Sequence, residues 1–382
     1  MNRIIYVGMD VHRESYTLCC VEQNLEGEDK VFGHLRMEAK IDNVKSYLKK
    51  IASGLLSKGI IPRFVCGYEA GCLGYSLYYQ MIEAGFECVV MAPATLFLRP
   101  RHVLKNDMRD AEHIAKSLAY GNYRAVYIPS VQDEEVREFI RMRNDHKQGL
   151  KRLKQQIGAF CLRHAMHYDK TKWTQVHLRW LETYDLRPGY REVLDRYLLT
   201  YHMLQDLIEQ CDLRIEEISQ EERYREKVAH LCCFKGIRTQ TSMSLIVETG
   251  SFARFATAEQ FASYLGLIPR ESSSGDTIRR GSITKTGNRE LRRLLIESAH
   301  SICRGRSDRK SKALKARQRG NPPEVIAYAD RAVLRLSRKY FRMIRRGKKT
   351  CVAITAVARE LACFVWGMMN GRFETRVTGQ KI

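Results

Sequence analysis

The 382-residue sequence predicts an α/β N-terminal domain, a helical coiled-coil arm and a mostly α-helical C-terminal part. Three observations carry that expectation. The first 130 or so residues alternate short apolar runs with turn residues and helical patterns. The middle stretch is Gly-poor, with apolar residues at three- and four-residue steps, and the remainder is basic and helix-periodic. The boundaries expected are 1–130, 131–228 and 229–382. With 44% hydrophobic and 28% charged residues, the composition fits a soluble globular protein with real cores. No apolar run reads as long enough to span a membrane, and Met1-Asn2-Arg3 leads into a strand rather than a signal peptide.

In chain order, residues 3–10, 15–22 and about 31–37 read as three strands joined by polar turns such as Asn24-Leu25-Glu26-Gly27. A helical pattern follows at about 40–57, and Arg63-Phe64-Val65-Cys66-Gly67-Tyr68-Glu69 is a fourth strand ending in an acid. A helix near 72–85, a strand at 87–91 and a helix at about 107–120 complete the region. Three strands followed by alternating helix and strand describe a ribonuclease-H-like α/β layout.

Across 133–225, Leu150, Leu153, Ile157 and Phe160 form one helical seam, and Leu204, Leu207, Cys211, Ile215 and Ile218 form another. Pro188-Gly189 is expected to break the two halves into an antiparallel hairpin, which is either an arm or an ordinary helical subdomain. From about 229, Phe234-Lys235-Gly236-Ile237-Arg238 resembles a helix-hairpin-helix turn whose Gly lets backbone N–H groups approach a phosphate.

Charge is concentrated. Residues 270–350 hold 24 Lys and Arg against 7 Asp and Glu, and so carry +17 of the net +22. That concentration points to a polyanion, and nucleic acid fits better than an anionic membrane because no amphipathic anchor accompanies it. Twelve cysteines without a Cys-x-x-Cys pair argue against a zinc finger or disulfide framework and read as reduced thiols of a cytoplasmic protein.

Asp10 ends the apolar strand Ile4-Ile5-Tyr6-Val7-Gly8-Met9, where a carboxylate is costly unless it is paired or binds a cation. Glu69 ends the fourth strand. Asp107 and Asp110 sit three apart at a helix start, on one face, where they either complement the helix dipole or ligate metal. Taken together, acids on two strand ends and a late helix suit Mg²⁺ or Mn²⁺ in phosphoryl transfer. Downstream, Glu271-Ser272-Ser273-Ser274-Gly275 reads either as a flexible loop or as a nucleophile loop. It is followed by Arg279, Arg280, Lys285, Asn288 and Arg289, then by Arg292 and Arg293 on a helix whose N-terminus offers a phosphate site.

The ordered segments Gly8-Met9-Asp10-Val11-His12, Tyr68-Glu69-Ala70-Gly71, Lys105-Asn106-Asp107-Met108-Arg109-Asp110-Ala111, and Leu267-Ile268-Pro269 through Ser274-Gly275 to Lys285-Thr286-Gly287-Asn288-Arg289 resemble the DEDD transposases of insertion sequences. These form the insertion-sequence-110 family, which includes the Piv DNA invertases. The segment Val352 to Leu361 is similar to that family's closing helix. The resemblance implies a RuvC-like catalytic domain, a coiled-coil arm and a transposase domain. Asp10, Glu69, Asp107 and Asp110 would be the metal-binding tetrad and Ser274 the serine that links covalently to DNA, with Ser273 its neighbouring rival. It further implies donor and target DNA, a structured bridge RNA as guide, a homodimer or homotetramer, and a nucleoid-associated place in a bacterial cytoplasm. The turn Lys235-Gly236-Ile237-Arg238 departs from the family's usual Pro-Gly-Ile-Gly type.

The function expected is therefore a site-specific recombinase that mobilises its own element through a phosphoserine intermediate. The basic residues 279, 280, 285, 289, 292 and 293 would neutralise phosphates. Two rivals are a RuvC-like structure-selective endonuclease using metal-activated water, with an inert serine loop, and a non-catalytic nucleic-acid-binding protein with structural acids.

Overall fold

The computed structural model describes residues 1–24, 27–71, 73–93, 106–271, 280–304 and 309–373. The chain divides into two compact units, Met1–Ile128 and Pro129–Ile382.

Among the described residues, the first unit is built on five strands: β1 (Asn2–Val11), β2 (Ser15–Glu22), β3 (Lys30–Glu38), β4 (Ile61–Glu69) and β5 (Glu87–Met91). Their order in the sheet is β3-β2-β1-β4-β5. The first three strands run antiparallel, whereas β4 and β5 run parallel to β1. That mixture follows from the connections. Short turns close the antiparallel meander, and the helices α1 (Ile41–Leu56) and α2 (Ser76–Glu83) make the crossovers that parallel pairing requires.

The two sheet faces carry different residues. Ile5, Val7, Met9, Leu18, Cys20, Cys66 and Tyr68 pack with Val44 and Leu48 of α1 and with Leu77 and Met81 of α2. On the other face, Cys19 and Val21 pack with Ala111 and Ala115 of α3 (Asp107–Ala119). Small residues set that contact. A Cβ added at Gly8 would lie 2.0 Å from the Ala111 carbonyl oxygen, and one at Gly67 would lie 2.8 Å from Leu118. Because glycines occupy these strand positions, α3 lies directly on the sheet backbone.

Among the described residues, the second unit is helical apart from one two-stranded ribbon. It opens with α4 (Val131–Arg163), the short α5 (Gln175–Thr183) and α6 (Pro188–Ser219). Ser130 caps α4, and Asp133 is buried beneath Arg223 and Tyr224, which donate to it at 2.6 and 2.7 Å. Helices α4 and α6 are antiparallel neighbours. Arg143 pairs with Asp212 at 2.7 Å, and Phe160 meets Tyr197 nearer the turn, with ring centroids 6.3 Å apart. Leu150, Leu153, Ile157, Leu194, Leu198 and Tyr201 make a core between them. Two expectations are corrected here. Pro188-Gly189 does not divide the helices but opens α6, with Pro at its first turn, where its missing N–H is harmless. A third helix, α5, lies in the turn, and its Trp180 and His177 pack with Tyr168 and Trp173.

Then come α7 (Glu222–Cys232), α8 (Thr239–Thr249), α9 (Ala258–Tyr264), β6 (Pro269–Glu271), β7 (Arg280–Ile283), α10 (Arg289–Cys303), α11 (Lys312–Gln318), α12 (Pro323–Arg345) and α13 (Thr350–Met369). A third correction concerns α13. It is 20 residues long with a mean hydropathy of 1.5 over an 18-residue window, so an apolar run of spanning length does exist. Its Val357, Leu361 and Val365 are fully buried and join the main hydrophobic core of this unit, which is where an all-round apolar helix belongs.

Candidate metal centre and basic elements

Asp10 lies near the end of β1, one residue past the final β1–β4 pair, Met9 with Tyr68, which brings Glu69 to the same level of the neighbouring strand. Alternation places Asp10 on the face of Gly8, the face on which α3 lies. Asp107 starts α3, one turn before Ala111, which touches that face. Asn106 caps the helix by accepting from the Met108 N–H, and Asp107 and Asp110 occupy its first turn, where the helix dipole favours negative charge.

Among the described residues, ligand atoms of Asp10, His12 and Asp107 lie within 4.8 Å of one another. His12 Nε2 is 3.3 Å from Asp10 Oδ2, with side-chain exposures of 56% and 19%, so the group is open to solvent and to a substrate. Glu69, exposed at its strand end, and Asp110, half-buried on α3, are not in that grouping. His12 is the residue the sequence reading missed. Its position two residues after Asp10 at a strand end was the available cue, because alternation returns it to the same face.

A row of side chains crosses the sheet beside this group. Asp10 pairs with Thr17, and Thr17 with Arg36. Arg36 Nη1 reaches to 3.7 Å from Asp107 Oδ2. Thr17 Oγ1 is buried, with the residue 1% exposed, and has no hydrogen-bond partner among the described residues. Two carboxylates and an imidazole form a donor set that fits a divalent cation, and an unpartnered buried hydroxyl lies in register with one of the acids. The majority of oxygen donors suits Mg²⁺ or Mn²⁺.

In the second unit, Ser272, Ser273, Ser274 and Arg279 lie outside the described residues. The strands on either side of them pair antiparallel, Glu271 with Arg280. The segments Leu265-Gly266-Leu267 and Lys285-Thr286-Gly287-Asn288 are knit together. Gly287, at φ +66°, comes so close to Tyr264 that a Cβ would lie 1.8 Å from its carbonyl oxygen. Arg292 is 9% exposed and donates from Nη1 to the Leu265 and Thr286 carbonyls, both at 2.8 Å. Burial, with Arg289 nearby, pulls its guanidinium below the ordinary value.

The other basic candidates differ in how they are engaged. Asn288 caps α10 through Leu291 N–H and donates to the buried Glu248 at 2.8 Å. Arg293 is engaged by Glu290 and Glu297 on its own helix. Lys285 and Arg289 are exposed. In the helix-hairpin-helix-like turn, Gly236 has φ +90° and would place a Cβ 2.6 Å from the Ser298 carbonyl, while Lys235 Nζ donates to the Arg304 carbonyl.

Comparison with known proteins agrees along the chain. Residues 7–166 match the DEDD transposase family of IS110 type, and residues 228–315 match the family described as transposase IS116/IS110/IS902. The chain is 31% identical to the Sinorhizobium fredii protein y4qE, named as a transposase, over 98% of this chain and 90% of that protein. It is 28% identical to the transposase for insertion sequence element IS1533 of Leptospira borgpetersenii, over 91% of this chain and 99% of that one. A shorter stretch is 33% identical to the pilin gene-inverting protein of Moraxella lacunata, over 32% of this chain and 39% of that protein. The chain therefore belongs to the IS110 family of DEDD transposases, enzymes that cut and join DNA.

Proposed function

We propose that this transposase is a metal-dependent, site-specific recombinase of its own insertion sequence, working through a phosphoserine intermediate and guided by a structured bridge RNA. The observation that carries the metal-dependent part is the Asp10–His12–Asp107 grouping on the α3 face of the sheet. The strand order β3-β2-β1-β4-β5 supports reading the first unit as RuvC-like, and the antiparallel pair α4 and α6 supports a coiled-coil arm.

Asp10 and Asp107, with Glu69 and Asp110 on the adjoining strand end and helix turn, would hold Mg²⁺ or Mn²⁺. When bound, the cation activates an attacking oxygen and stabilises the leaving one. Arg36 counters the acids in the free protein and can move to a phosphate oxygen when DNA is present. Ser274 Oγ is the nucleophile. A Ser O–P bond forms as one P–O bond of the DNA backbone breaks, so bond energy is kept for rejoining without ATP. Lys285 and Arg289 neutralise phosphates at the α10 start, while Arg292 holds the two flanking segments in place. Arg279 and Arg280 add positive charge for phosphates, and Arg293 joins them only by giving up its pairs with Glu290 and Glu297. Donor and target DNA, bridge RNA and further copies of the chain, as dimer or tetramer, are the partners of this function, in the cytoplasm at the nucleoid.

Cleavage of element-end DNA by the purified protein with the bridge RNA tests the metal-dependent part. Cleavage should require Mg²⁺ or Mn²⁺ and vanish in Asp10→Asn and Asp107→Asn, while both variants still bind DNA. Undiminished cleavage in Asp10→Asn would refute the acidic centre.

A further inference from the structure

The second half of α12 has no role in the acidic centre. Between Asp330 and Glu360 the sequence holds ten Lys and Arg and no Asp or Glu. The inner face of α12 is core, with Tyr328, Ala329, Ala332 and Leu336 at most 2% exposed. On the outer face Arg331, Arg338 and Arg345 recur every seven residues. Leu334 and Phe341, also seven apart, run along one edge of that row and are 39% and 46% exposed.

Some of these cations have protein partners. Arg331 donates to the Phe373 carbonyl, and Arg335 and Lys339 engage Glu360. Arg338, Arg342 and Arg345 form no ion pair or side-chain hydrogen bond among the described residues. Phe341 thus stands among three uncommitted arginines, at three residues before, one after and four after it in sequence. Cations alone suffice to hold a duplex backbone, whose base faces are stacked inside and do not reach a surface aromatic. A second copy of this chain, at net +22, would set these arginines against further positive charge. A strand with a phosphate backbone and open base faces satisfies both kinds of side chain.

We propose that the outer face of α12 is a platform for an unpaired DNA strand, with bases on Phe341 and Leu334 and phosphates on Arg338, Arg342 and Arg345. The proposal rests on the chain's being a DNA-cutting transposase. It adds a surface that separates unpaired from paired DNA.

Fluorescence anisotropy with the full-length protein tests it, using an unstructured ~20-nucleotide DNA strand, its duplex, and an RNA strand of the same sequence. Phe341→Ala should weaken binding of the DNA strand roughly 5- to 150-fold, the range of one lost base–aromatic stack, and leave the duplex within about two-fold. Phe341→Tyr should restore it. Replacing Arg338, Arg342 and Arg345 together by Ala should lower the salt slope on the DNA strand by roughly 2. Equal effects of Phe341→Ala on strand and duplex, no effect on either, or a loss confined to RNA would overturn the proposal. So would a change in sedimentation of Phe341→Ala without nucleic acid, which would mark the face as a contact between copies. Wild-type protein that binds no DNA in any form would instead defeat the broader nucleic-acid reading.

Discussion

Replacing Gly8 by Ala should lift α3 from the sheet and separate Asp10 from Asp107. The new Cβ would sit 2.0 Å from the Ala111 carbonyl oxygen and 2.3 Å from the Ala115 nitrogen, both backbone atoms that cannot rotate away. An ordinary carbon–oxygen contact is about 3.3 Å, so the helix must retreat by roughly 1.3 Å. Overpacking of this kind costs about 1–3 kcal/mol, and loss of glycine's unfolded-state freedom offsets about 0.4–1 kcal/mol of it. The net loss is therefore centred on about 1.3 kcal/mol and at most about 2.6 kcal/mol, read by urea unfolding followed with far-ultraviolet circular dichroism. Gly54 in α1 is the internal control, because nothing lies within 4 Å of its added Cβ. Gly54→Ala should gain about 0.5–1 kcal/mol from helix propensity. Mn²⁺ affinity, read by titration calorimetry, should fall in Gly8→Ala and hold in Gly54→Ala. Gly8→Ala as stable as wild type, with unchanged Mn²⁺ affinity, would refute this account of how α3 is seated.

Three further outcomes follow from the same geometry. Arg292→Ala should lower stability by about 2–4 kcal/mol, since two carbonyls lose a charged donor; Arg292→Lys, with a shorter side chain and a strongly hydrated ammonium, should recover less than half, as measured by thermal melting. His177, 3% exposed and accepting from the Trp173 N–H at Nδ1, is held below its usual pKa by burial and then by Lys172. The unfolded chain therefore binds that proton more readily. The stability His177 contributes is complete above about pH 6.5 and falls as pH drops below it, which tryptophan emission of the α5 region should follow and His177→Gln should abolish. Arg36→Ala should tighten Mn²⁺ binding, by up to about five-fold because the Arg36–Asp107 pair is largely solvated; unchanged or weaker affinity would count against Arg36 as the counter-charge.

The sheet was legible because its strands are short apolar runs bounded by turn residues, with β2 buried continuously from Thr17 to Val21. All five strands lie where alternating or continuous apolar runs end in turn residues, and Asp10 was conspicuous for the same reason. Helices α4 and α6 were legible from their seams, whereas α5 was not, because nine residues are too few to establish a helical period. The roles of basic residues were the least legible. Sequence lists Lys285, Arg289, Arg292 and Arg293 alike, and only the fold reveals that Arg292 points inward to two carbonyls while Arg293 lies between two glutamates. His12 escaped notice because its significance depends on α3 bringing Asp107 from about 95 residues away.

The most direct test of the recombinase account is a covalent-adduct assay. Purified protein, end-labelled element-end DNA, Mg²⁺ and the bridge RNA are mixed, denatured and resolved on a gel, with Ser274→Ala, Ser273→Ala and Asp10→Asn alongside. The account predicts a protein–DNA adduct that survives Ser273→Ala and is lost in both Ser274→Ala and Asp10→Asn. Free cleaved ends without an adduct, undiminished in Ser274→Ala, would contradict it and leave a metal-dependent nuclease that uses water.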